Sequence, residues 1–104
     1  MEIEWYFYIF AFFAGVFLIN SMPHFLNGIS GNYFPTPFAN PPGKGLSSPI
    51  INVLWGFLNF IIGFLFFYFG KISSGKIFIL ITFFSGAFLM ALRLASVLVN
   101  KLPK

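Results

Sequence analysis

Hydrophobic residues fall into three long runs along this chain, Ile3 to Met22, Ile50 to Gly70 and Lys76 to Val99, and polar positions gather between them. Each run reaches the roughly 20 residues that a helix rising about 1.5 Å per residue needs to cross a hydrocarbon core of roughly 30 Å. A lone segment in lipid satisfies its own backbone only as a helix, so each run predicts one span. The expected fold is all-α, an integral membrane three-helix bundle with an ordered Gly/Pro-rich segment between helices 1 and 2. It is a single membrane domain over residues 1–104, with helices at 3–22, 50–70 and 76–99 and a Gly/Pro-rich cap at 23–49.

Local chemistry sets these boundaries. Pro23 has no backbone donor and pushes Met22 away from helical geometry, so helix 1 is expected to end there. Ser48 is a capping residue, Pro49 suits the first helical position, and Gly70 closes helix 2. The link Lys71 to Lys76 is short, which predicts a tight antiparallel hairpin of helices 2 and 3. Asn100 and Pro103 close helix 3. The first run opens on Glu2 and Glu4 rather than on positive charge, and it ends without a small-residue cleavage site. It therefore reads as a spanning helix and not as a cleaved leader.

Composition supports the membrane assignment and removes much chemistry. Hydrophobic residues make up 59% of the chain and charged residues 8%, against about 25% charged in a soluble domain. The 18 Phe residues read as lipid-compatible bulk. Cysteine and aspartate are absent, the acids are Glu2 and Glu4, and His24 is the one histidine. Disulfides, thiolate chemistry, a metal held by three or four protein ligands and a paired-carboxylate mechanism are all excluded. No catalytic residue, metal or cofactor is assigned.

Three spans put the termini on opposite faces. One face holds Glu2, Glu4, Lys71 and Lys76. The other holds the Gly/Pro-rich segment with Lys44, and Lys101 and Lys104, with Arg93 close by. Counting Lys and Arg near the helix ends places this second face inside, so the expected orientation is N-outside and C-inside.

Within helix 2, Asn52, Gly56, Asn59, Gly63 and Gly70 share one face. Small residues allow close helix approach and amides bond across it, so Gly56, Asn59 and Gly63 are expected to pack against other helices. Ala11 and Gly15 offer a weaker small-residue pair in helix 1. Arg93 lies about 9 Å from the centre of helix 3, and Asn20 and Asn52 lie about 11 to 12 Å from theirs, all toward the same face. His24 follows just above. Asn20, His24, Lys44, Asn52 and Arg93 are the expected ligand-binding residues, with Lys44 at the mouth. No carboxylate lies near to cancel the charge, so the site should prefer an anion. The competing reading is that Arg93 snorkels to the headgroups.

The segment itself is stiffened by Pro35, Pro37, Pro41 and Pro42, and Tyr33, Phe34, Phe38 and Leu46 are its expected apolar anchors. Gly43-Lys44-Gly45 lacks the Ser/Thr and the strand-loop-helix setting of a phosphate loop. Pro23-His24-Phe25, Asn27-Gly28, Phe34-Pro35-Thr36-Pro37-Phe38-Ala39, Pro42-Gly43-Lys44-Gly45, Ser48-Pro49 and Asn52 to Trp55-Gly56 together resemble a family of small uncharacterised bacterial inner-membrane proteins. The resemblance covers a third of the chain. It implies a bacterial inner-membrane setting and brings no activity with it.

The expected function is a non-enzymatic binding or accessory subunit with a basic site for an anion or lipid headgroup. A minimal homo-oligomeric transporter is the alternative, and a small membrane enzyme using His24 is a third. Expected partners are membrane lipid and either a second copy or a larger membrane complex, with no nucleic acid.

Overall fold

The computed structural model describes residues 3–99. Helix α1 spans Trp5–Ile29, strands β1 (Phe34–Pro35) and β2 (Leu46–Ser47) follow, and helix α2 spans Pro49–Phe69. A 3-10 turn at Ile72–Ser74 leads to helix α3, Ile77–Leu98. The fold is the expected all-α bundle, and all three helices are long and apolar enough to cross a membrane. Its long dimension is 46 Å, more than a hydrocarbon core of roughly 30 Å. Glu2, Lys101 and Lys104 of the charge count, and Asn100 beyond α3, lie outside the described residues.

Helix α1 does not stop at Met22. It continues through Pro23 to Ile29. Proline removes one backbone bond, but in apolar surroundings a continued helix still satisfies more groups than an unwound chain. Neighbouring side chains bond carbonyls around the proline: Ser21 Oγ donates to Leu18 O at 2.6 Å and Asn27 Nδ2 donates to Pro23 O at 2.8 Å. Packing against α2 grips the extension. A Cβ on Gly28 would lie 2.7 Å from the Val53 backbone nitrogen, and one on Gly56 would lie 2.6 Å from the Phe25 nitrogen. The helix finally ends at Ser30, where Asn32 N–H bonds Asn27 O at 2.8 Å and Gly31 takes a positive φ of 77°.

Helix α2 starts as its sequence predicts, with Ser48 Oγ accepting from Ile51 N–H at 3.2 Å and Pro49 in the first turn. Its buried residues are Asn52, Gly56, Asn59 and Gly63, the packing face expected from their spacing. The tight hairpin of α2 and α3 is not found. The two are joined by a short turn, with Lys71 and Gly75 left-handed, and they meet through Phe67 and Phe83, ring centroids 5.6 Å apart. Helix α1 instead packs against both. The reason is where the small residues point. Gly56 and Gly63 of α2 face Phe25 and Leu18, while Gly86 of α3 faces the Phe12 carbonyl and Gly15 faces the Phe83 carbonyl. Every close approach is thus made to α1, whose buried face includes Ala11, Ala14 and Gly15. Ala11 and Ala14 form the core with Ile72 and Ile79 near the turn.

At the other end the segment between α1 and α2 folds back on itself. Strands β1 and β2 pair antiparallel, Phe34 opposite Ser47 and Pro35 opposite Leu46. Thr36 organises the interior of this cap. Its hydroxyl meets Ser47 Oγ at 2.5 Å and accepts from Phe38 N–H at 3.1 Å, and its carbonyl accepts from Ala39 and Gly43 N–H. Of the four expected anchors only Phe34 is buried, at 3% exposure. Tyr33, Phe38 and Leu46 are exposed, and burial instead runs through the consecutive residues Phe34, Pro35 and Thr36.

Candidate functional site

Helices α1 and α2 stay in close contact up to the cap, while α3 has no buried residue beyond Gly86, and a cleft lies at that end. Its volume is about 230 Å³. Asn20 and His24 of α1 line it, together with Phe34 to Pro37 and Gly43 of the cap, Trp55 of α2, and Arg93, Leu94, Val97 and Leu98 of α3. Because α1 stays helical past Pro23, His24 sits one turn above Asn20 on the same face. This juxtaposition depends on the extension that the sequence pattern missed.

Two amide residues of α2 hold the two α1 side chains. Asn20 Nδ2 donates to Asn59 Oδ1 at 3.0 Å, and Asn59 Nδ2 donates to Trp55 O at 2.8 Å. His24 Nδ1 lies 3.0 Å from Asn52 Oδ1. Asn52 Nδ2 faces three carbonyl oxygens, those of Phe34 at 2.9 Å, Ser47 at 3.2 Å and Ser48 at 3.1 Å. Asn52 is fully buried and Asn59 is 1% exposed. Burying such amides is tolerable because their bonds are made within the protein. Asn52 therefore ties three parts together: the cap, the start of α2 and the histidine of α1. The His24 ring is further fixed edge-on to Phe34, centroids 5.3 Å apart, and to Trp55 at 6.4 Å.

Comparison with protein-family models, curated proteins and solved structures finds no match to this chain. What the cleft can do follows from its own residues.

Of the five expected binding residues, Asn20, His24 and Arg93 line the cleft. Asn52 is a layer behind, bonded to His24. Lys44 is exposed and does not line the cleft, although its neighbour Gly43 does; the turn closed by Lys44 N–H and Gly45 N–H on Pro41 O directs its position. Arg93 is exposed on one side yet belongs to the cleft wall, and its guanidinium makes no hydrogen bond or ion pair with the described residues. Among those residues no cluster of three His, Cys, Asp or Glu exists that would hold a metal.

Sequence reasoning overlooked Trp55, Thr36 and the Asn20–Asn59 pair. Trp55 stands three residues after Asn52, one turn along the same helix, which is the signal that places it beside the site. Asn59, on the packing face of α2, packs by bonding a residue of the cleft.

Proposed function

We propose that this chain is a small membrane-embedded binding subunit, set in a bacterial inner membrane, that takes an anionic group into the cleft through Arg93. The observation that supports this most is the Arg93 guanidinium itself. It stands on the wall of a formed cleft with no protein acceptor among the described residues. A charge at this depth of a spanning helix is costly unless something meets it. Phosphate and carboxylate match its planar donor fork. The surrounding wall of Leu94, Val97, Leu98, Phe34 and Trp55 is apolar, which suits the region just below a lipid headgroup. In our reading the cleft end faces the cytoplasm, with the N-terminal end outside, in keeping with Arg93 and Lys44 at the cleft end.

The test is lipid preference. Reconstituted wild type should hold anionic phospholipid over phosphatidylcholine, as read by native mass spectrometry of retained lipid. Arg93→Leu should lose that preference, and Arg93→Lys should keep part of it, since an ammonium keeps the charge and lacks the fork. An unchanged preference in Arg93→Leu would show that the side chain only snorkels.

A further inference from the structure

The hydrogen-bond network around the cleft floor assigns atoms as well as residues. Asn52 Nδ2 is fixed toward carbonyl oxygens of Phe34, Ser47 and Ser48, which can only accept. Its Oδ1 is then the atom facing His24, and an amide oxygen accepts. The Nδ1 atom of the neutral imidazole must therefore carry the proton, and Nε2 keeps its lone pair. The same logic holds one turn below. Asn59 Nδ2 is committed to the Trp55 carbonyl, so Asn59 Oδ1 faces Asn20 and receives its Nδ2. Asn20 Oδ1 remains.

Neither Nε2 of His24 nor Oδ1 of Asn20 has a partner among the described residues. No buried side-chain nitrogen or oxygen among those residues lacks one, so both atoms are open rather than sealed. Both residues line the cleft, and His24 is only 6% exposed. The floor thus presents two hydrogen-bond acceptors one helical turn apart, and the wall presents a cation.

We propose that the cleft selects an anionic phosphodiester headgroup bearing vicinal hydroxyls, of the phosphatidylglycerol kind. This rests on the anion-binding reading above and deepens it. The phosphate meets Arg93, and the two hydroxyls donate to His24 Nε2 and Asn20 Oδ1. A cleft of about 230 Å³ is below the roughly 300–1,000 Å³ that encloses a drug-sized ligand. It takes a headgroup and leaves the acyl chains in the membrane. An ammonium headgroup satisfies the acceptors as well, but its zwitterion leaves the Arg93 charge uncancelled. Sites built to bond a hydroxyl discriminate strongly against analogues that lack it, because their own polar groups are then left unpaired.

The tag-free full chain in detergent is offered equal amounts of phosphatidylglycerol, phosphatidylmethanol, phosphatidylethanolamine and phosphatidylcholine with identical acyl chains, and retained lipid is quantified by native mass spectrometry. Phosphatidylmethanol has the same charge as phosphatidylglycerol and no hydroxyl. Phosphatidylglycerol should exceed it by about fivefold or more, as expected for two added hydrogen bonds. His24→Phe should cut that ratio to what the Asn20 bond alone supplies, while both anionic lipids still exceed phosphatidylcholine. Since His24→Phe also strands Asn52, the wild type supplies an independent readout. His24 is the one histidine, so the Nε2 resonance in a ¹⁵N spectrum of labelled protein should be of the unprotonated type and shift with phosphatidylglycerol but not with phosphatidylmethanol. Displacement of the lipid by equimolar glycerophosphoglycerol would assign the same headgroup chemistry to a soluble source, and resistance to displacement would assign it to the membrane. Equal retention of the two anionic lipids, both above phosphatidylcholine, overturns this proposal and leaves the anion site standing. Greater retention of phosphatidylethanolamine overturns it too. Indifference to charge removes the anion site itself.

Discussion

Replacing Gly56 with alanine tests the packing on which the cleft depends. The new Cβ would lie 2.6 Å from the Phe25 backbone nitrogen and 2.9 Å from its Cα. Carbon contacts relax to about 3.5–4.0 Å, and backbone atoms cannot swing aside as a side chain does. Helices α1 and α2 must therefore part by about 1 Å at this crossing. Gly56 sits one turn from Asn52 on one side and one turn from Asn59 on the other. The bonds His24–Asn52 and Asn20–Asn59, both 3.0 Å, would stretch toward lengths at which a side-chain hydrogen bond no longer counts. Overpacking costs about 1–3 kcal/mol, and each interhelical bond in a membrane adds about 0.6 kcal/mol. Alanine's better helix propensity returns about 1 kcal/mol. The net expectation is a loss of about 1–3 kcal/mol. Reversible unfolding in mixed micelles measures it, with Phe64→Ala, an exposed position, as the comparison. If Gly56→Ala is as stable as wild type, or no worse than Phe64→Ala, the helices are not held at this distance and the reasoning fails.

Gly86→Leu should detach α3, since its side chain would collide with the Phe12 carbonyl; cross-linking between cysteines placed on α1 and α3 should fall while α1–α2 cross-linking persists. Asn52→Leu should loosen the cap, because it strands His24 Nδ1 and takes the side-chain donor from the Phe34 and Ser47 carbonyls, while Ser48 O keeps the backbone N–H of residue 52, at about 1–3 kcal/mol for a group left unpaired; amide exchange over residues 33–48 should speed up more than exchange in α3. Cysteines at Ser73 and Lys44 should label from opposite faces of the membrane, and labelling from one face would refute the three-span arrangement.

The spans, the packing face of α2 and its start at Ser48–Pro49 were legible because each rests on local periodicity or capping chemistry. The end of α1 was not. A proline rule drawn from local geometry places the stop at Met22, whereas the grip of Gly28 and Gly56 on two further turns is a property of the assembled pair. That one difference carries His24 from a loop into a helix. Arg93, Asn20 and Asn52 were legible through their shared depth, which is simple arithmetic along each helix. Lys44 is exposed beside the cleft-lining Gly43, in a turn closed on Pro41. The central position of α1 was hidden as well. A short connection between α2 and α3 suggests contact, and only the directions of Gly15 and Gly86 show that both neighbours close on α1.

Helix α3 contributes just Ile79 and Gly86 to the buried interior, one near its start and one near its middle. Beyond Gly86 it runs on without a buried residue, like a lever past its fulcrum. Arg93 is seven residues farther along, about 10 Å from that point of support. A lean of about 10° there carries the guanidinium about 2 Å across the cleft. The distance from the Arg93 guanidinium to the cleft floor is thereby tied to the tilt of one helix, and so to the thickness of the bilayer that sets that tilt.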